Sequence, residues 1–289
     1  MHLIKRFFPF ILLTLILISC ELYSDIDRAP LYQPTLSIHA FMSQHDIQAV
    51  VSYTHPRDTL EAQDVPDLPE LEVWLTRNGQ ASHQLSAKGE GYYRLDSMDF
   101  ETEQNYAIHV KDKTGRLVLE SGSDQLPAVP KILSVRYVQD TTTIPETNVL
   151  RLELANPINK YHGFDVSTFY SIDSGTTFQN SRDSIYGIFR FRSLLKPTES
   201  SPDTLSTSIK TATFLRPEPG EPGIYINAVS VKVSHFSSGM MLFFEELKEA
   251  EQSFNEPFAT RSPVYSNITG GYGVFGAYHA IDTVVFLER

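Results

Sequence analysis

From Leu36 onward, apolar residues recur at every second position in short runs: Leu36, Ile38 and Ala40; Ile47, Ala49 and Val51; Leu71, Val73 and Leu75. Side chains alternate between two faces only in an extended strand, so this period predicts half-buried antiparallel strands and excludes a helical first half. Asn78-Gly79 is a hairpin signal between Glu70–Arg77 and Ala81–Ser86, because both residues tolerate positive φ. Gly89 and Gly91 frame the next turn, ahead of a strand at Tyr92-Tyr93-Arg94-Leu95. Tyr106–Val110 then pairs through Lys113-Thr114-Gly115 with Leu117–Leu119. Short strands at this spacing, packed into about 90 residues, predict an immunoglobulin-like β-sandwich over residues 35–128. Tyr106 is placed to act as its tyrosine corner, and Trp74 as a core aromatic.

Pro127 and Pro130 bracket the expected boundary to a second, larger β-sandwich over 129–289. Its strands are expected at Ile132–Val138, Val149–Ala155, Gly163–Tyr170, Ile185–Arg192, Ser208–Leu215, Ile224–Val233 and Asp282–Leu287. One segment breaks the period. Met240, Phe243, Phe244, Leu247 and Ala250 fall three or four apart, opposite Glu245, Glu246, Lys248, Glu249 and Glu251, which predicts an amphipathic helix over 237–252. Gly270, Gly271, Gly273 and Gly276 resemble a phosphate loop only superficially. No Lys-Ser or Lys-Thr follows them, and their alternation with Tyr272, Val274 and Tyr278 is that of a strand. The fold class expected is therefore all-β with one amphipathic helix.

The first twenty residues follow a different rule. Lys5 and Arg6 precede an apolar run from Phe7 to Ile18, and Ser19 abuts Cys20, the single cysteine. The run is too short for a membrane span of roughly 20 residues and has the layout of an export signal. The small residue before a cysteine marks it as a lipoprotein signal peptide, residues 1–19, removed as Cys20 is acylated. Residues 20–34, without a sustained period, are read as a lipidated tether. Several acyl chains at about 0.8 kcal/mol per buried methylene give a stable anchor. Loss of Lys5 and Arg6 with the signal takes the formal charge from −11 to −13. An acidic chain excludes backbone binding to nucleic acid and electrostatic adhesion to anionic lipid. With no second cysteine, no intrachain disulfide can form, and the fold rests on its core.

Catalytic and metal signatures are not found. Nine histidines make no His-x-x-x-His pair with a nearby Glu, and neither a Gly-x-Ser-x-Gly elbow nor an EF-hand loop is present. No metal, cofactor or enzymatic activity is expected. Asp followed by Ser or Thr and then a residue of the set Ala, Ile, Leu, Val, Met or Thr occurs at Asp58, Asp96, Asp140, Asp183, Asp203 and Asp282. Composition alone gives roughly one such occurrence. The excess resembles the O-glycosylation sequon of exported Bacteroidetes proteins, with Thr59, Ser97, Thr141, Ser184, Thr204 and Thr283 as acceptors and Thr59, Thr141 and Thr204 favoured. Turns that enter strands produce the same pattern.

The lipobox ending in Cys20-Glu21, the alternating domain, and the succession Pro257-Phe258, Ser266-Asn267-Ile268 and Gly271-Tyr272-Gly273-Val274-Phe275-Gly276 resemble the DUF4249 family of Bacteroidetes lipoproteins. Asn156-Pro157 through Phe164 resembles a family segment in which Tyr usually stands where His162 and Gly163 do here. The resemblance implies an outer-membrane lipoprotein, often encoded beside a TonB-dependent transporter, and no established activity. The expected function is a lipid-anchored accessory protein in ligand capture or uptake, facing the cell surface or the periplasm. The alternatives are a structural envelope lipoprotein and an exported glycan- or peptide-acting enzyme. Phe258, Tyr265, Tyr272 and Tyr278 carry more aromatic surface than a loop and closing strand need, and are the candidate partner-binding residues.

Overall fold

The structure, a computed structural model, describes residues 33–54, 66–140, 147–156, 163–171, 179–180, 193–197, 203–211, 214–215, 224–225, 227–254 and 264–286. The first strands are β1 (Leu36–Met42), β2 (Asp46–Tyr53), β3 (Leu71–Arg77), β4 (Gln80–Gln84), β5 (Ser86–Gly89), β6 (Tyr92–Asp96), β7 (Asn105–Asp112), β8 (Leu117–Ser121) and β9 (Asp124–Gln125). Beyond the prolines come β10 (Ile132–Asp140), β11 (Thr147–Ala155), β12 (Gly163–Ser171), β13 (Gln179–Asn180), β14 (Ser193–Leu195), β15 (Thr204–Thr211), β16 (Phe214–Leu215), β17 (Ile224–Tyr225) and β18 (Ala228–Phe236). Helix α1 (Ser238–Phe254), β19 (Ile268–Thr269) and β20 (Tyr272–Phe286) complete the described chain. The protein is all-β, with one helix among the described residues.

Two sandwiches share one strand. A nine-stranded sheet runs β13-β12-β18-β20-β1-β2-β6-β5, with β14 also on β12. The Tyr272–Ala277 part of β20 pairs in parallel with β1, and its Tyr278–Phe286 part pairs antiparallel with β18. The β1 half of this sheet faces the sheet β19-β8-β7-β3-β4 across a core of Ile38, Met42, Ile47, Val51, Leu75, Ile108 and Phe275. The β18 half faces β10-β11-β15 across Leu150, Leu152, Leu154, Phe164, Val166, Val231 and Val233. β19 and the start of β20 follow the linker in sequence yet belong to the first sandwich by pairing.

Local chemistry accounts for the first sandwich. Asn78 and Gly79 both take positive φ, 51° and 78°, and close the β3–β4 hairpin as the sequence predicts. Tyr106 is buried, its hydroxyl donating to Glu101 O at 3.3 Å and accepting from Glu101 N–H at 3.0 Å, so it is the expected tyrosine corner. Trp74 is not in the core. Val73 and Leu75 point inward, so the pleat turns Trp74 outward, where its indole N–H donates to Glu72 and Lys111 lies 5.8 Å from its ring. The expected break between the glycine-laced segment and a final strand at Asp282 is also absent, because β20 runs through as one strand of 15 residues. The Ile185–Arg192 strand lies outside the described residues.

Candidate functional site

The segment that carries the aromatic and glycine-rich motifs forms the joint between the sandwiches. β18 stops at Phe236, opposite Tyr278, so from Ala277 back towards Tyr272 that edge of β20 has no strand beside it. Buried backbone groups there need other partners. Ser237 N–H donates to Ala277 O at 2.9 Å, and Ala277 N–H donates to Ser237 Oγ at 3.0 Å. Asn267 Nδ2 donates to Phe275 O at 2.8 Å, and Phe275 N–H donates to Asn267 Oδ1 at 2.9 Å. One serine and one side-chain amide thus stand in for the missing strand.

The same serine starts the helix. Met241 N–H donates to Ser237 O at 2.9 Å, and Met240 N–H reaches Ser237 Oγ at 3.4 Å, as an N-cap requires. The Ser237 hydroxyl in turn donates to Asp124 Oδ2, tying β9 to the helix start. Burial pushes the Asp124 carboxyl up to about 6, against the pull of hydrogen bonds from Ser237 Oγ and the backbone amides of Gln125, Gly239 and Ala277. A carboxyl whose folded pKa exceeds its unfolded value holds its proton more tightly in the native state. Its contribution to stability is full below about pH 4, is lost as pH rises towards 6, and is constant above. The loss amounts to about 3 kcal/mol. Asp124→Asn, which cannot ionise, is therefore expected to gain on the wild type between pH 4 and 6 and no further at pH 8. Urea unfolding of both proteins at each pH checks this, and a constant difference across the range refutes it.

Helix α1 lies over the outer face of β1 and β20. Met240, Met241, Phe243 and Phe244 are buried with Phe236 and Val274, and Phe41, Leu247, Tyr265 and Tyr278 pack against them. Phe244 stacks on Phe41 at 6.0 Å and meets Phe243 edge-on at 5.2 Å, while Phe236 meets Tyr278 edge-on at 6.4 Å. Helix and strand approach so closely that a Cβ at Gly276 would lie 2.7 Å from Met240 Cβ. The three described candidate partner-binding residues, Tyr265, Tyr272 and Tyr278, therefore do not form one exposed patch. Tyr265 and Tyr278 are half-buried in the helix cluster, and Tyr272 is 59% exposed, six positions up the strand and about 20 Å away. Phe258 lies outside the described residues, as do Cys20, Thr59, Thr141 and Ser184. Ser97 is exposed in a turn at φ 60°, whereas Thr204 and Thr283 are half-buried within strands.

Two histidines unnoticed in the sequence hold the linker. His235 and His279 oppose each other on β18 and β20. His235 Nδ1 lies 2.7 Å from Ala128 O, and its ring stacks on Phe164 at 4.8 Å. Burial lowers the His279 pKa, while a hydrogen bond to the Pro127 backbone opposes this and His45 adds to it. On β12, burial pushes the Asp165 carboxyl up to about 7 against the attraction of Lys232. An open cleft of about 430 Å³ lies between Leu68–Glu70 and Gly89–Tyr93. Among the described residues no three His, Cys, Asp or Glu side chains gather where they could hold a metal ion.

The model of the DUF4249 family, described as a domain of unknown function, matches residues 21–282. The chain belongs to the DUF4249 family. Its succession of Ser266-Asn267-Ile268 and Gly271-x-Gly273-x-Phe275-Gly276 maps onto the joint: Asn267 holds the Phe275 backbone, and the glycines admit β1 and the helix. No curated protein matches this DUF4249 chain. Among solved structures it is similar to a chain titled "Cytokine receptor complex - Crystal form 2", at 9% identity and a TM-score of 0.27, covering 69% of this chain and 89% of that one.

Proposed function

We propose that this DUF4249 protein is a lipid-anchored outer-membrane accessory protein that partners a TonB-dependent transporter in ligand capture or uptake, facing the cell surface. The observation that carries this reading is the export signal ending at Ser19-Cys20, with the chain's single cysteine at the position a lipobox requires. Two sandwiches locked by a common strand make a stiff body suited to standing beside a barrel, and its acidic charge leaves attachment to the lipid. Among the described residues no helix is long and apolar enough to cross a membrane. Of the sequon acceptors described, Ser97 is the one whose exposure suits a glycan.

Cys20→Ala is expected to abolish palmitate labelling and to leave the protein uncleaved or released from the membrane fraction. Equal labelling of the variant sinks the anchor. The intact mass of the wild type from its native host reads lipid and glycan together. Affinity purification of that protein in mild detergent is expected to bring down a TonB-dependent transporter. A protein that carries its lipid but purifies alone, at expression levels where the transporter is present, overturns the accessory role.

A further inference from the structure

We infer that the end of the first sandwich carrying Leu117 and Tyr272 rests on the lipid of the anchoring leaflet, its apolar side chains at the boundary of headgroups and acyl chains. This deepens the lipid-anchor reading and depends on it. The chain joins the first sandwich at Thr35, whose N–H donates to Thr54 Oγ1 at 3.1 Å and whose carbonyl accepts from Thr54 N–H at 2.8 Å. Cys20 lies fifteen positions upstream, which sets an upper reach of about 50 Å for any conformation of that segment. The tether therefore joins the fold at this end of the molecule.

Two exposed apolar residues lie at that end. Cβ atoms built on Gly270 and Gly271 would lie 2.4 Å from Val118 O and 2.2 Å from Leu36 O, so the Gly270-Gly271 turn bridges β8 and the start of β1. Leu117, next to Val118, is 44% exposed, and Tyr272, next to Gly271, is 59% exposed. Val50, 43% exposed, lies on the outer face of the same sheet, two strands from β20. An aromatic with a polar tip and aliphatic side chains exposed at one end of a fold are residue types that partition to a membrane interface. Among the described residues at this end, charges of both signs pair: Asp112 with Arg116 and Glu70 with Lys113. Contact by apolar insertion, indifferent to lipid charge, follows from that balance. Val284 and Phe286 are also exposed, but they lie towards the opposite end of β20, roughly 40 and 46 Å along the strand from Tyr272.

The test uses the full lipidated protein in phosphatidylcholine vesicles, with Trp74→Phe removing the native indole. Leu117→Trp and, separately, Phe286→Trp then report on the two ends, and an intact mass establishes acylation beforehand. Bromination of the lipid acyl chains is expected to quench the reporter of Leu117→Trp by about twofold and to leave that of Phe286→Trp unchanged, in low and high salt alike. Adding Tyr272→Thr, which keeps strand preference while removing the ring, should reduce the quenching. Acylated protein that shows no quenching at Leu117→Trp, equal quenching at both ends, or quenching lost in high salt overturns the inference while leaving the anchor intact. Absence of the acyl mass overturns the anchor itself, and this inference with it.

Discussion

Asn267→Ala is expected to destabilise the protein by about 3 kcal/mol, measured as the change in free energy of urea unfolding. The alanine removes one donor and one acceptor together, leaving Phe275 N–H and C=O without partners. Phe275 is fully buried, so water cannot replace them. Each orphaned buried group costs roughly 1–3 kcal/mol. Asn267→Asp sharpens the test. It keeps the acceptor for Phe275 N–H but sets an oxygen against Phe275 O, and should cost at least as much as alanine. If both variants unfold like the wild type, the amide is not substituting for a strand.

Gly273→Ala should be worse, at about 4 kcal/mol, and is expected to accumulate as insoluble protein. Gly273 has φ +116°, a conformation closed to residues with a Cβ, and that atom would lie 1.9 Å from Ile38 O. The obstruction is backbone of β1, which cannot rotate aside as a side chain could. Because β1 and β20 are neighbours in the shared sheet, the strain falls on both sandwiches at once. Circular dichroism and thermal unfolding of any soluble fraction check this. A midpoint within a few degrees of wild type means the two strands tolerate a wider spacing.

The first sandwich was legible because its strands are half-buried. Ile38, Ala40 and Met42 point to the core while His39 and Phe41 do not, and such alternation can be read without knowing the partner strand. Trp74 defeated the reading because size suggested burial, whereas its place between Val73 and Leu75 had already assigned it to the outer face. β20 was only half visible. Its glycines and the run His279-Ala280-Ile281-Asp282 look like interruptions, and a parallel pairing of Ser37 with Tyr272 leaves no local trace. The joint was hidden for a similar reason. Asp124, in the two-residue β9, and Ser237 and Asn267, just outside their elements, are isolated polar residues, ordinary until the fold brings them together. The aromatic block resembled an interface for the same reason: among its described residues Tyr265 and Tyr278 serve the helix packing, and Tyr272 stays outside.

The pairing of β1 with β20 sets the order in which this chain can become a protein. Phe275 and Ala277 belong to the first sandwich's core but are made roughly 230 residues after β1, so a nascent chain cannot finish its amino-terminal half as it emerges. Folding of that half must wait for β20. For the exported lipoprotein proposed above, that delay is useful: a polypeptide that must thread a narrow translocation channel is kept pliable by its own topology, and it acquires rigidity only on the far side, when β20 arrives.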